Sequence, residues 1–103
     1  MAFDSEAVRN IFAAKGRPAD NPLIVHVWSR DQLAGICEVP PLAEKLMDAF
    51  WPGPLTLLMP RKPQIPLVVT ASLPTVAVRM PSHPVAAALL KACNVPVAAP
   101  SAN

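Results

Sequence analysis

Residues 15–26 read Lys-Gly-Arg-Pro-Ala-Asp-Asn-Pro-Leu-Ile-Val-His and place two cations directly before an apolar segment. Lys15 and Arg17 are separated by one glycine and followed by a proline, so the backbone leaves helical geometry where the charges stand. An Asn-Pro pair then opens the segment 23–27, which is typical of a short buried strand. The sequence therefore predicts an anion-binding loop that leads into a stiff strand.

Length and composition indicate one small packed domain. The chain has 103 residues, 52% apolar and 16% charged, a balance that favours a packed interior over a disordered chain. Its 14 prolines are spread out and mostly flank apolar segments, so they separate short elements. A net charge of +2 is too small to indicate nucleic-acid or membrane binding by bulk electrostatics, and anion recognition is expected to be local.

Cysteine usage and the chain's first residues predict a cytoplasmic protein. Cys37 and Cys93 lack the CxxC spacing of a metal site, so free buried thiols in a reducing compartment are expected and no metal site is predicted. The first residues lack the basic and apolar regions of a signal peptide. No segment approaches the roughly 18–20 unbroken apolar residues that a membrane span needs.

The N-terminal half is predicted to alternate helices with one strand. Apolar spacing indicates a helix over 5–15, a strand over 23–27, a short helix capped by Ser29, and a longer helix that begins at Pro41. The apolar stripe of the last helix is predicted to be Leu42, Leu46, Ala49 and Phe50. The following Trp-Pro-Gly-Pro cannot continue it, and Trp51 is interpreted as a packing anchor rather than a substrate contact.

The C-terminal half continues the alternation. Strands are predicted over 55–59, 75–80 and 95–99, with a helix over 84–93 that Ser82 or His83 caps. Val85, Leu89 and Leu90 are expected to form the apolar side of that helix, and Arg61-Lys62 to form a solvated turn. Strands that alternate with helices predict an α/β sandwich with a sheet that is mixed or largely parallel. Three glycines cannot build a Walker loop or a dinucleotide fingerprint, so cations and polar loops would have to hold any nucleotide.

Arg79 is the most informative single residue of the C-terminal half. Alternation in its strand places Val76 and Val78 on one face and Arg79 on the other, together with Thr75 and Ala77. A guanidinium on a buried face needs an anionic partner because an unpaired interior charge is costly. A bound carboxylate or phosphate would meet that need, and so would an acidic residue of the chain.

Other candidate residues have structural explanations that remain open. Lys15 in the last turn of a helix is favourable by about 0.3–1 kcal/mol without any ligand. His26 could be a hydrogen-bonded core residue. Ser101 and Asn103 could form a plain turn, or could bond a polar ligand at the carboxyl end of the last strand.

Five short motifs occur in one order along the chain: Lys15-Gly16-Arg17-Pro18, Asn21-Pro22-Leu23-Ile24-Val25-His26, Trp51-Pro52-Gly53-Pro54-Leu55-Thr56, Val78-Arg79-Met80-Pro81 and Pro100-Ser101-Ala102-Asn103. With these motifs in register, the sequence resembles the YrdC/Sua5 family, the threonylcarbamoyl-AMP synthases. The resemblance implies a twisted α/β sheet with a concave basic cleft. It also implies a cytoplasmic enzyme that converts ATP, bicarbonate and L-threonine to threonylcarbamoyl-AMP and pyrophosphate for modification of adenosine 37 in tRNA.

The resemblance also implies roles for individual residues. Lys15, Arg17 and Asn21 would face the ATP phosphates and nucleotide, with Lys15 and Arg17 as the catalytic cations and Mg²⁺ accompanying ATP. Thr75, Ser101 and Asn103 would bond the nucleotide. Threonine would be held by His26, Arg79 and the backbone of Ala99.

The resemblance covers the middle of the family's catalytic domain. Residues 1–103 are expected to form a partial YrdC-like domain, without an N-terminal Thr-x-Thr-x-Tyr-Gly-Leu segment and without the C-terminal half. One alternative is the related domain of hydrogenase-maturation carbamoyltransferases. Two others are an RNA- or tRNA-binding module and an inactive fragment or scaffold of the family. Oligomeric state is left open.

Overall fold

A computed structural model describes residues 22–100, which form one mixed sheet with helices. The predicted helix over 5–15 lies outside these residues. The strands are β1 (Ile24–His26), β2 (Thr56–Pro60), β3 (Thr75–Arg79) and β4 (Val97–Ala99). The helices are a 3-10 helix (Arg30–Gly35), α1 (Pro41–Phe50), α2 (Leu67–Thr70) and α3 (Pro84–Cys93).

The sheet has the strand order β2-β3-β1-β4. β1 and β3 are parallel, whereas β2 pairs with β3 and β4 pairs with β1 in antiparallel fashion. The prediction of a mixed α/β sheet is confirmed. Because β1 and β3 run in parallel, their carboxyl ends lie side by side at one edge of the sheet.

One face of the sheet carries the hydrophobic core. Alternate residues of each strand point to this face, as the period of two requires, and the helices α1 and α2 and the 3-10 helix contribute the remaining core side chains. The core residues from the strands and from the segment flanking β1 are Leu23, Val25, Val27, Leu57, Met59, Val76, Val78 and Ala98. The predicted division of β3 between Val76 and Val78 on one face and Arg79 on the other is confirmed.

Two predicted helix starts are confirmed by their caps. Ser29 caps the 3-10 helix, with its side chain accepting a hydrogen bond from the amide of Asp31 and the side chain of Gln32 accepting from the amide of Ser29. His83 caps α3, because its Nδ1 accepts a hydrogen bond from the amide of Val85 at 3.2 Å. Both helices therefore begin where the sequence places a side chain that can satisfy a free amide.

The predicted apolar stripe of α1 is wrong in part, since of its four residues only Leu46 packs against the core. Leu42 is 68% exposed and Phe50 is 56% exposed, while Ala43 and Met47 are buried. Ala43 and Met47 lie four residues apart, one turn of the helix, and they face the core. The helix thus packs through Ala43 and Met47 and leaves Leu42 and Phe50 exposed, which apolar spacing alone does not distinguish.

The predicted apolar side of α3 is also wrong in part. Leu90 is buried, whereas Val85 and Leu89 are exposed. Cys37 and Cys93 are both free, as predicted, but Cys93, in the last turn of α3, is exposed. The prediction of two buried thiols therefore holds only for Cys37.

The segment between β2 and β3 differs from its prediction as a solvated turn. Arg61 forms an isolated bridge with Cys37, and its Nη1 donates hydrogen bonds to the carbonyls of Lys62 and Ile65, each at 3.3 Å. The short helix α2, which the sequence did not reveal, follows it. Among the helices that the structure describes, none has the length and apolar character needed to cross a membrane.

Candidate functional site

The face of the sheet opposite the core carries the polar side chains. Strand pairing places Thr56 opposite Arg79, Arg79 opposite His26, and His26 opposite Val97. Residues paired in this way point to the same side of a sheet. Thr56, Arg79, His26 and Val97 therefore form one row across all four strands, which we call the polar row, and it lies at the carboxyl ends of the parallel strands β1 and β3.

Arg79 lies at the centre of the polar row. Its Nε donates a hydrogen bond to Oγ1 of Thr56 at 2.7 Å, and the side chain is half-buried. Within residues 22–100 the single ion pair joins Arg30 to Asp48 on the surface, at 2.5 Å. Arg79 thus has no carboxylate partner among the described residues, and its terminal nitrogens are suited to bind an anionic group.

His26 stands beside Arg79 in the same row. Burial lowers the pKa of His26 below its usual value of 6.5, and the positive charge of Arg79 lowers it further, against the opposing effect of backbone hydrogen bonds with Val97 and Ile24. The imidazole is therefore neutral at pH 7 and can both donate and accept a hydrogen bond. Because the imidazole carries no negative charge, it does not neutralise Arg79, and the positive charge of Arg79 stays available to a ligand.

A cavity of about 290 Å³ adjoins the polar row and is lined by residues of the sheet and of α3. It is bounded by His26, Val97 and Ala99 from the sheet, by Pro81, and by Ala86, Leu89, Leu90 and Cys93 from α3. Nearly all of these side chains are apolar. His26 consequently lies between a cation on one side and an apolar hollow on the other, an arrangement that suits a ligand with one charged and one apolar end.

The Trp-Pro-Gly-Pro turn holds the start of β2 against the end of β3. The amide of Gly53 donates to the carbonyl of Met80 at 2.8 Å, and Trp51 is buried with its Nε1 donating to the carbonyl of Leu55 at 2.9 Å. A Cβ on Gly53 would lie 2.5 Å from the carbonyl oxygen of Phe50, so this approach requires glycine. The interpretation of Trp51 as a packing anchor agrees with this arrangement.

The structure describes four of the predicted site residues and brings three of them together. His26 and Arg79 are direct neighbours, and Ala99 pairs with Ile24, one diagonal step from His26. Thr75 lies on the same face but at the opposite end of β3, four residues from Arg79, a separation of about 13 Å along the strand. The predicted residues outside the described part of the chain are Lys15, Arg17, Asn21, Ser101 and Asn103.

Thr56 is a site residue for which the sequence predicted no role. It stands in a motif that the sequence does reveal, but its contact with Arg79 depends on the register between β2 and β3. Register is set by turn geometry and by which face is buried. One signal in the sequence could have indicated that they share a face: Thr56 and Arg79 each stand next to a strand residue that faces the core, Leu57 and Val78.

The whole chain matches one protein family. The Sua5/YciO/YrdC family model, described as telomere recombination, matches residues 1–103. The threonylcarbamoyl-AMP synthase of Pyrococcus abyssi is 54% identical over 99% of this chain, and that of Bacillus subtilis is 52% identical over the same share. The chain spans 30% of the length of each of these relatives.

A solved structure shows the same fold. The crystal structure of Pyrococcus abyssi Sua5 complexed with L-threonine superposes with a TM-score of 0.92 at 54% identity. The match covers 99% of this chain and 30% of that one. The similarity thus extends over the sheet, the helices and the five motifs, and the chain belongs to the Sua5/YciO/YrdC family.

Proposed function

We propose that this chain is the central part of the catalytic domain of an L-threonylcarbamoyl-AMP synthase. The enzyme would join ATP, bicarbonate and L-threonine to give threonylcarbamoyl-AMP and pyrophosphate, for modification of adenosine 37 in tRNA in the cytoplasm. The observation that carries the proposal is the side-by-side placement of His26 and an Arg79 that has no carboxylate partner within residues 22–100. A relative 54% identical to this chain has been solved with L-threonine, the amino acid that this arrangement would bind.

Threonine would be held at the polar row. The terminal nitrogens of Arg79 would pair with its carboxylate, and the neutral imidazole of His26 would exchange a hydrogen bond with its polar groups. The backbone of Ala99 would lie close to it on the other side of His26. The apolar cavity next to His26 offers room for an uncharged part of the substrate.

The nucleotide would be held by cations and hydroxyl groups. We propose that Lys15, Arg17 and Asn21 face the phosphates and nucleotide, and that Thr75, Ser101 and Asn103 bond the nucleotide. Thr75 lies about 13 Å from Arg79 along the strand, and a nucleotide extended over the open face would cover such a distance.

The chemistry needs alignment and charge neutralisation rather than a protein nucleophile. The amine of threonine condenses with bicarbonate to a carbamate with loss of water. A carbamate oxygen then attacks the α-phosphorus of ATP, the bond from that phosphorus to the oxygen bridging to the β-phosphate breaks, and pyrophosphate leaves. Lys15 and Arg17 would stabilise the charge that develops on pyrophosphate. Mg²⁺ would accompany the ATP phosphates; residues 22–100 contain no cluster of three or more His, Cys, Asp or Glu.

A pyrophosphate-release assay on the full-length protein tests this proposal. We expect release that requires ATP, bicarbonate and L-threonine together, with threonylcarbamoyl-AMP detected by mass spectrometry. The substitution Arg17→Glu should abolish release while the circular dichroism spectrum stays unchanged, whereas Arg30→Glu, on a surface ion pair, should leave release intact. Release that does not depend on threonine would contradict the proposal and favour a carbamoyl-adenylate enzyme. Absence of release would favour an inactive scaffold or an RNA-binding module.

A further inference from the structure

We propose that Thr56 is a positioning residue for Arg79. It orients the guanidinium of Arg79 so that the two terminal nitrogens bind the substrate carboxylate end-on. This inference rests on the proposed function, since it concerns how the same site recognises threonine. Its observation is the hydrogen bond of 2.7 Å from Nε of Arg79 to Oγ1 of Thr56.

The bond joins two elements whose register is fixed. Thr56 and Arg79 are opposed residues of the antiparallel pair β2 and β3, and both are half-buried. Next to them, the amide of Gly53 bonds the carbonyl of Met80, which ties the segment before β2 to the residue after β3. The hydroxyl of Thr56 is therefore presented to Arg79 by a rigid backbone, and it needs no adjustment when a ligand binds.

The hydrogen bond from Nε determines which part of the guanidinium can bind a ligand. Arginine can pair with a carboxylate through the edge that contains Nε or through the end that carries the two terminal nitrogens, and its donors form a planar fork. In this protein Thr56 occupies the Nε donor. The edge that contains Nε is thereby blocked, and the remaining N–H groups form an end-on fork for one carboxylate.

A purely structural role for Thr56 makes a different prediction. If Thr56 merely stabilised the sheet, its loss would weaken binding of every ligand of the site in the same proportion. If Thr56 orients the fork, its loss weakens carboxylate binding alone. L-Threoninol, which has an alcohol in place of the carboxylate of L-threonine, separates the two cases.

The experiment measures binding of L-threonine and L-threoninol to the full-length protein by calorimetry. Thr56→Val keeps the shape of the side chain and removes the acceptor; we expect an affinity for L-threonine about tenfold lower, as for a lost hydrogen bond to a charged group. Affinity for L-threoninol should stay within about twofold. Thr56→Ser, which keeps the hydroxyl, should restore most of the threonine affinity. Thr70→Val is the matched control, because Thr70 lies in α2 and its hydroxyl donates to the carbonyl of Leu67, away from the polar row.

The outcomes separate this inference from the proposed function. Unchanged threonine binding by Thr56→Val, or an equal loss for both ligands, overturns the positioning role and leaves the proposed function standing. A wild-type protein that binds neither ligand overturns the proposed function, and the inference with it. Should Thr56→Val not fold, Thr56→Ala removes the same acceptor, and the same comparison of the two ligands decides.

Discussion

His26 and Arg79 are paired residues of the parallel strands β1 and β3, and their side chains stand next to each other on the open face of the sheet. One is a neutral imidazole whose pKa is lowered by burial and by its neighbour, and the other is a permanent cation. The pair gives the site one fixed charge and one group that can both donate and accept a hydrogen bond. The lowered pKa of His26 has a measurable effect on how folding stability depends on pH.

The lowered pKa of His26 makes folding stability depend on pH. The unfolded chain takes up a proton near pH 6.5 and the folded protein only at lower pH, so the unfolded state binds more protons as the pH falls. The contribution of His26 is complete above pH 6.5 and is lost as the pH falls through the folded pKa. Urea unfolding between pH 7.5 and pH 4.5 should show this loss, and His26→Gln should remove it. His83→Gln is the control and should retain it, and equal slopes for wild type and His26→Gln would contradict the account.

The two thiols should differ widely in reactivity. Burial raises the pKa of Cys37 to about 11, assisted by Glu38 and opposed by Lys62, so almost none of this thiol is ionised near pH 8. Cys93 is exposed in the last turn of α3. A chromogenic disulfide reagent should label Cys93 in the native state and Cys37 only after denaturation, as mapped by mass spectrometry. Cys93→Ser should abolish the native labelling, and Cys37→Ser should not; rapid labelling of Cys37 in the folded protein would be inconsistent with its burial.

The inward face of α1 can be tested by a matched pair of substitutions. Met47→Ala removes a side chain that is 1% exposed and should lower the free energy of unfolding by about 2–5 kcal/mol. Leu42→Ala, in the same helix but on the exposed side, should change it by no more than about 0.5 kcal/mol. Chemical unfolding followed by circular dichroism measures both. A larger loss from Leu42→Ala than from Met47→Ala would show that the helix packs through the stripe that the sequence suggests.

The sequence predicted most of the helices and strands because each left a local signal. Strand alternation placed Arg79 on the face opposite Val76 and Val78, and the caps at Ser29 and His83 marked two helix starts. The inward face of α1 could not be predicted, since Leu42 and Met47 are both apolar and their burial depends on how the helix lies on the sheet. The short helix α2 has too few residues to show a period.

The contact between Thr56 and Arg79 could not be predicted from the sequence for another reason. It depends on register between strands 23 residues apart along the chain. Motif spacing identified each residue's neighbourhood, but only tertiary pairing shows which hydroxyl meets the guanidinium. The roles of all the predicted site residues remain predictions: Lys15, Arg17, Asn21, His26, Thr75, Arg79, Ala99, Ser101 and Asn103.

The most direct measurement for the site compares L-threonine binding by wild type, Arg79→Lys and Arg30→Lys, with calorimetry on the full-length protein. Both substitutions keep the charge and remove the planar fork, and only Arg79 stands in the polar row. We expect Arg79→Lys to weaken threonine binding by at least about tenfold, and Arg30→Lys to bind as wild type does. Equal binding by wild type and Arg79→Lys would contradict the claim that Arg79 recognises the carboxylate of threonine.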